Sequence, residues 1–414
     1  MKQIYRNVKK CRICSAKNMV KYLDLGKMPL TNLLVEPKNK NKPELKFPLD
    51  ILYCKNCSLS QLSIVVNPEI LFSKYVYRSS IPKTFQDHCA QIADKASEIV
   101  NPGRNKLVID IASNDGCLLY QFKNKGFEVI GVEPAENIAK IANANGLKTI
   151  CSFWDIETSN KILQRYGKAR IITATNVLAH VDDLNTFLKA VGILLDEDGI
   201  FIVEVPYLYD ILSKSEFDTV YHEHLSYFLV SPLKKLYDNN KLKIFRIEKY
   251  PIHGGSIRIY SSKKFFEEDD SVKEFLKFEL DKKLYEIKTY KSFEIKVKKV
   301  KNELIKLLIE LKRKNKKIAA YGASAKGNTL LNYCCIDSKL VDFIADDTPE
   351  KQGKLAPGSK IRIVDSSYLN KEKPDYILLL AWNFSEEIMR KTNDIYRRKV
   401  KYIIPIPSVK IVQI

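Results

Sequence analysis

Two stretches of this chain follow the same order of an apolar strand, a tight turn of small residues, a helix and another strand. That order commits much of the 414 residues to α/β folding. In the first stretch, 106–110 (KLVID) reads as a buried parallel strand and 111–116 (IASNDG) as the turn. An amphipathic helix then runs from Cys117 to about Lys125, and a second strand ends at the acid Glu133. Residues 171–176 (IITATN) and 199–205 (GIFIVEV) continue the sheet, with apolar residues at helical spacing over Leu184 to Leu195 between them. The second stretch has strands at 317–322 (KIAAYG), 341–346 (VDFIAD) and 376–381 (YILLLA). Open parallel sheets bind ligands at the carboxyl ends of their strands. Glu133 is therefore placed to meet ribose hydroxyls, and Asn176, with His180 close by, to meet a cofactor.

The two turns differ in what they can hold. The first lacks G-x-G-x-x-G and reads Asp110-x-Ala112-x-x-x-Gly116, which resembles the acid-plus-glycine turn of class I methyltransferases, whose donor has no pyrophosphate to cradle. Ala112 stands where such turns usually carry glycine. In the second, Gly322 and Gly327 have the spacing of a P-loop, but Lys326 precedes the second glycine, which excludes that ATP-binding arrangement. A backbone cradle for a diphosphate with Lys326 as counter-charge is one reading, and small residues that let a helix pack on its sheet are the other.

Four of the nine cysteines form two close pairs, Cys11-x-x-Cys14 and Cys54-x-x-Cys57, each able to present two thiolates from one turn. Four cysteines leave no open coordination position, so the expected zinc is structural. Lys38 to Lys42 with Pro43 reads as an insertion loop between the knuckles. Cys89, Cys117, Cys151, Cys334 and Cys335 read as buried or half-buried thiols. The N-terminus has no apolar signal core, and the longest apolar run, Tyr376 to Trp382, is far short of the ~18–20 residues of a membrane span. A cytoplasmic protein without membrane contact is expected. The net charge of +20 favours anionic partners, but lysine is spread along the whole chain and marks no nucleic-acid groove. Further on, Ser271-x-x-Glu274 reads as a capping box, and Phe293, Val297, Val300, Leu304, Leu308 and Leu311 form the stripe of a long helix.

Two of the five histidines fall in 220–227 (VYHEHLSY). Read as an extended segment, this places the rings of His222 and His224 on opposite faces, which favours acid–base chemistry over a shared metal. Several motifs in chain order, together with the cysteine pairs, resemble the sugar C-methyltransferases that make branched deoxysugars. They are 75–80 (YVYRSS), 113–116 (SNDG), 133–135 (EPA), Asn176-Val177 with 179–183 (AHVDD), 221–224 (YHEH), 253–256 (HGGS) with Arg258, and 321–329 (YGASAKGNT). The likeness runs along nearly the whole chain.

This resemblance implies a zinc-binding module (1–73), a class I Rossmann-like methyltransferase core (74–262) and a second Rossmann-like domain (263–414) that holds a nucleotide sugar. It implies S-adenosylmethionine as donor, held by Asp110, Ala112, Ser113, Asn114, Asp115, Gly116, Glu133, Pro134, Asn176 and His180. The methyl would go to C-3 of a 4-keto-6-deoxysugar linked to thymidine or guanosine diphosphate. By motif position His224 matches the catalytic base, Tyr221 and Glu223 its neighbours, and one of Tyr75 and Tyr77 a further active-site tyrosine. Substrate contacts are expected from Tyr321, Gly322, Ala323, Lys326 and Asn328, from Asp346 and Lys351, and from His253, Ser256 and Arg258 on the facing domain. A monomer that binds no nucleic acid is expected. A zinc-containing RNA methyltransferase and a non-catalytic nucleotide-sugar binding protein are the alternatives.

Overall fold

The buried alternate residues of the central strands decide the layering. Val108, Ile171, Ile200 and Ile202 face a core built with Phe85, Cys89, Ile92 and Phe122, while Ile109, Ile172, Phe201 and Val203 face the opposite core with Ile162, Phe187 and Leu233. Period-two alternation with both faces apolar is the requirement for a sheet covered by helices on both sides. The computed structural model of the protein describes residues 4–72, 79–80, 83–100, 106–264, 266–396 and 400–413; the side chains of residues 253 and 394–396 fall outside that description.

Among the described residues this central sheet has seven strands, in the spatial order Lys243–Tyr250, Ser256–Ser262, Leu195–Pro206, Ala169–Thr175, Leu107–Ile111, Glu128–Val132 and Thr149–Ile150. Ser256–Ser262 runs antiparallel to both its neighbours, while the other pairings are parallel. The chain order reverses between Leu107–Ile111 and Ala169–Thr175, which opens a crevice at the carboxyl ends of these two strands. A second sheet at the C-terminus has the order Ile363–Val364, Ile344–Ala345, Ile318–Tyr321, Tyr376–Leu379, Lys401–Ile404 and Lys410–Gln413, with its own reversal beside Ile318–Tyr321. Gly322 ends that strand at φ +92, and a Cβ there would lie 2.8 Å from Ala381 Cβ. The glycine thus permits both the turn and the close approach of the next strand end.

The N-terminal module is an antiparallel sheet of Met19–Met28, Phe47–Cys54 and Ser60–Leu62. Its fourth strand, Ser226–Tyr227, comes from the methyltransferase core and pairs with Gln61 and Ser60. The histidine-bearing segment is therefore stitched into the module beside it. The lysine-rich stretch between the knuckles, residues 38–42, is a mostly exposed loop whose two flanks are anchored on the C-terminal domain: Val35 bridges Leu355, and the Glu44 carboxylate accepts the Gly358 N–H at 3.0 Å and pairs with Lys360 at 2.8 Å.

The long helix forms as its stripe predicts, over Ile287–Arg313, and Tyr290 on the same face packs between Tyr22 and Tyr53 of the N-terminal module. The preceding helix, Asp270–Asp281, begins one residue before the expected cap, because Asp269 takes the N-cap and accepts the Ser271 N–H. Ser271 Oγ is engaged by Asp269 and by the Ile247 N–H. Cys89, Cys117 and Cys334 are buried, but Cys151 and Cys335 are exposed; Cys335 lies beyond the helix Ala325–Tyr333 at φ +52, where the chain turns away from the core. Among the described residues no helix is long and apolar enough to cross a membrane.

Candidate active site

The crevices of the two sheets face each other across one cleft of about 650 Å³. On the methyltransferase side, Asp110 closes its strand and accepts a hydrogen bond from Thr173 Oγ1 at 2.7 Å; burial pushes its carboxyl up to about 7. The turn that follows is left-handed at Ala112 (φ +55), Asn114 (φ +51) and Gly116 (φ +86), so alanine keeps the conformation that glycine would take more cheaply. At Gly116 a Cβ would come within 2.3 Å of Leu147 Cδ1, so this position is closed to larger residues.

Glu133 accepts the backbone N–H groups of Asn114 (3.0 Å) and Ala135 (2.8 Å), which locks the end of one strand to the turn of the other. Asn114 and Asp115 hold residues 79 and 80, which precede the upstream helix Lys83–Ile99. Asn114 Oδ1 accepts the Ser79 N–H, and Asp115 accepts both the N–H and the hydroxyl of Ser80. Asp110, Ala112, Ser113, Asn114, Glu133, Pro134, Asn176 and His180 line the cleft, while Asp115 and Gly116 stand behind the turn.

The cleft floor carries His224. Residues 221–224 form a turn, with the His224 N–H bonded to Tyr221 O at 2.9 Å, and not the extended stretch expected from the H-x-H spacing. Because of that turn the two histidines separate by role. His222 packs against Phe47 and reaches Pro48 O with Nε2, and burial lowers its pKa to about 4. His224 lies on the cleft wall with Tyr221. Nδ1 of His224 is 2.8 Å from Thr219 O, a group that can only accept, so Nδ1 carries the proton. Nε2 then accepts the Tyr221 hydroxyl at 2.8 Å. His180 packs edge-on against His224 with ring centroids 4.9 Å apart, and its burial, which lowers its pKa to about 4, keeps it neutral.

Glu223 is not on this wall. It is buried, its carboxyl is pushed up to about 7 by desolvation, and Oε1 accepts Nδ2 of Asn32 at 2.7 Å. Asn32, from the N-terminal module, is the one that lines the cleft. No motif pointed to Asn32, since its segment carries neither metal-ligand spacing nor a nucleotide-binding pattern. Tyr75 and Tyr77 lie outside the described residues.

On the C-terminal side Gly322, Lys326, Asp346 and Lys351 line the cleft. Lys351 Nζ lies 3.1 Å from Ala323 O and 3.4 Å from Asp346 Oδ2, and Asp346 accepts the Ala323 N–H at 2.7 Å. Lys326 Nζ is 3.6 Å from buried Glu216 and lies over the Trp382 ring. Other expected substrate residues are elsewhere. Tyr321 donates its hydroxyl to Asp347, and Asn328 Nδ2 is given to Thr31 O at 2.7 Å. Ser256 and Arg258 lie on a strand with neighbours on both sides, and this buries them. Ser256 Oγ is turned back to Ile252 O, and the Arg258 guanidinium pairs with Glu204 at 3.0 Å and stacks on Tyr250. The His253 side chain is outside the described residues.

Beside the cleft, Cys11, Cys14, Cys54 and Cys57 bring their sulfurs within 4.8 Å of one another. Cys11 and Cys57 are 3.4 Å apart and Cys14 and Cys54 3.6 Å apart. A tetrahedron with metal–sulfur bonds of about 2.3 Å has edges of roughly 3.8 Å, so the cluster fits zinc. The knuckles are built alike. The N–H groups of Ser15 and Ser58 return to Cys11 O and Cys54 O, both at 2.9 Å, with both serines left-handed.

Three family models match in the order the structure suggests: a zinc-binding domain over residues 11–72, a methyltransferase domain over 83–245 and a C-methyltransferase C-terminal domain over 251–407. Over its full 414 residues the chain is 33% identical to the C-methyltransferase NovU of Streptomyces niveus, covering 99% of that protein. The chain belongs to the C-methyltransferase family. Two solved structures overlap it over less than half of its length. Magnesium protoporphyrin IX methyltransferase of Synechocystis is 14% identical over 44% of this chain and 82% of its own, with a TM-score of 0.33. An S-adenosylmethionine-dependent methyltransferase of Clostridium acetobutylicum is 19% identical over 43% and 91%, with a TM-score of 0.34. Overlaps this partial carry no weight for the fold or the activity.

This C-methyltransferase is S-adenosylmethionine-dependent, with zinc as its second cofactor. The chemistry of the cleft suits the donor. Acidic Glu133 stands beyond the second strand on the cleft wall, where a carboxylate can accept ribose hydroxyls, and the left-handed turn at 112–114 brings backbone to the same wall.

Proposed function

We propose that the protein methylates C-3 of a nucleoside-diphosphate 4-keto-6-deoxysugar through an enolate, as a monomeric, cytoplasmic enzyme of branched-deoxysugar synthesis. The observation that carries this reading is the tautomer of His224. Thr219 O holds the proton on Nδ1, so Nε2, bonded to the Tyr221 hydroxyl in the cleft, is basic.

A C-4 ketone acidifies the hydrogen on C-3, and the Tyr221–His224 couple accepts that proton by relay, the phenolic oxygen taking it as the hydroxyl proton passes to Nε2. The C–H electron pair becomes the enolate. The resulting imidazolium is stabilised by its Nδ1–H bond to Thr219 O, and Tyr221 stays within reach of charge building on the sugar oxygen. S-adenosylmethionine, held by Asp110, the 112–114 turn, Glu133 and Asn176, supplies an electrophilic methyl group. Gly322, Lys326 and Lys351 face the diphosphate from the C-terminal sheet, with Asp346 setting Lys351. The division into residues 1–73, 74–262 and 263–414, and an active-site role for one of Tyr75 and Tyr77, belong to the same reading. The full-length likeness to a C-methyltransferase favours this substrate class over RNA.

The test is mass spectrometry of 4-keto-6-deoxy nucleotide sugars incubated in deuterium oxide. Native protein is expected to exchange the hydrogen next to the ketone without donor, and to add a methyl with it. His224→Ala should bind S-adenosylhomocysteine normally and lose exchange by about 100-fold or more. Normal exchange in that variant removes His224 from the reaction. No exchange and no methylation by the native protein removes the ketosugar.

A further inference from the structure

We infer that Asn32, contributed by the zinc-binding module, is a substrate-reading residue of the cleft, and that Glu223 and Asn328 act through it as positioning residues. The inference rests on the ketosugar reading above. Its starting point is that two polar residues expected at the substrate do not line the cleft, and both converge on residues 31 and 32. Glu223 takes Asn32 Nδ2 at 2.7 Å on Oε1. Asn328 gives its Nδ2 to Thr31 O at 2.7 Å from the helix Ala325–Tyr333. Glu223 is 2% exposed, Asn328 1% and Thr31 2%, whereas Asn32 is partly exposed on the cleft wall that also carries Tyr221 and His224.

The chemistry of an amide explains why this arrangement is selective. Asn32 has two N–H donors and a carbonyl acceptor, and Glu223 engages one N–H. That bond fixes which way the amide faces, leaving one donor and one acceptor for a ligand. A ring hydroxyl of a sugar, donor and acceptor at once, matches that pair, whereas a diphosphate oxygen can only accept. The surroundings are rigid. Thr31 and its carbonyl are pinned by the C-terminal domain, Glu223 belongs to the His224 turn, and the following strand Ser226–Tyr227 pairs with the module that carries Asn32. All three parts of the chain thus meet at one amide. A site built to hydrogen-bond a substrate hydroxyl discriminates strongly against ligands that lack it, because its polar group is then left unpaired.

The experiment is calorimetric binding to zinc-loaded protein saturated with S-adenosylhomocysteine, with thymidine diphosphate and its 4-keto-6-deoxyglucose conjugate as probes and the guanosine diphosphate pair alongside. Asn32→Ala is expected to weaken the sugar conjugate by about 10- to 100-fold while leaving the bare nucleotide unchanged. Glu223→Gln, which can still hold the amide, should stay within a few-fold of native protein, while Glu223→Ala should approach the loss seen in Asn32→Ala.

The double variant decides between positioning and contact. If Glu223 acts through Asn32, the double loss equals that of Asn32→Ala alone; if Glu223 touches the sugar itself, the losses multiply and the inference falls. Equal loss of bare nucleotide and conjugate, or no loss in Asn32→Ala, also overturns it. If the native conjugate binds with the preference for Asn32 but neither exchanges deuterium nor gains a methyl, the reaction proposed above fails while this reading of the cleft stands.

Discussion

Replacing Arg12 by methionine tests whether the zinc knuckle holds the His224 turn. Arg12 sits between the ligands Cys11 and Cys14, with its side chain 3% exposed. Its guanidinium donates to Asp182 Oδ1 at 3.2 Å, to Leu62 O at 3.3 Å and to Leu225 O at 3.1 Å. Leu225 follows His224, its N–H is bonded to Ala179 O beside His180, and its carbonyl also takes the Leu62 N–H. Methionine fills similar space and removes the three bonds. A hydrogen bond to a charged group contributes about 1.5–3 kcal/mol, and removing the guanidinium also recovers its desolvation cost, so the net loss should be about 2–4 kcal/mol. The Asp182 side chain is 31% exposed and retains Arg6, which keeps the cost below that of a fully orphaned buried charge. The assay is hydrogen exchange of zinc-loaded protein read by mass spectrometry. Peptides over 58–64 and 222–228 should exchange about 30- to 1000-fold faster, while those over 318–333 stay unchanged. Arg6→Ala removes a half-exposed partner of the same carboxylate and should cost less than about 1 kcal/mol. Unchanged protection around Leu225 in Arg12→Met would refute the coupling.

Two further outcomes follow from the same geometry. Gly116→Ala puts a Cβ 2.3 Å from Leu147 Cδ1 at φ +86, so it should cost about 2–4 kcal/mol in urea unfolding and weaken S-adenosylhomocysteine; native-like stability would contradict the turn described. Glu223 keeps its proton in the folded protein up to about pH 7, whereas the unfolded chain releases it near pH 4.3. Between those values the native state binds more protons, so the contribution of Glu223 to stability falls as pH rises. Glu223→Gln lacks that loss and should gain up to about 3 kcal/mol over the native protein between pH 5 and pH 8; a pH-independent difference would show that the carboxyl titrates normally.

Where periodicity and chemistry agreed, the sequence was legible. Apolar runs placed most of the expected strands within a residue or two, although Leu195–Pro206 starts four residues before the expected Gly199 and Ile344–Ala345 three after the expected Val341, and four cysteines at knuckle spacing located the metal cluster. The left-handed turn at Ala112 formed despite the alanine, because Glu133 fixes it through the Asn114 N–H. Legibility stopped at tertiary placement. Arg258 was expected to meet the substrate from the facing domain, but its strand lies inside a sheet, and there a guanidinium is tolerated only against an acid such as Glu204. Glu223 and Asn328 were expected to meet the substrate, but neither lines the cleft, and their partners, Asn32 and Thr31, are about 190 and 297 residues away in the chain. No local pattern encodes a contact of that kind.

The same long-range contacts explain why a small zinc module belongs in this fold. In the reaction proposed above, the turn bearing His224 needs a fixed tautomer and a fixed position, and the module supplies part of its support. Its edge strand pairs with Ser226–Tyr227, Arg12 holds the Leu225 carbonyl, Phe47 and Pro48 enclose His222, and Asn32 reaches the cleft. A three-stranded sheet of this size has too little apolar surface to stay ordered unaided, and a tetrahedral metal is an effective staple for it. Zinc closed in by four thiolates therefore bears on the cleft through geometry, and its removal should be felt first at the His224 turn.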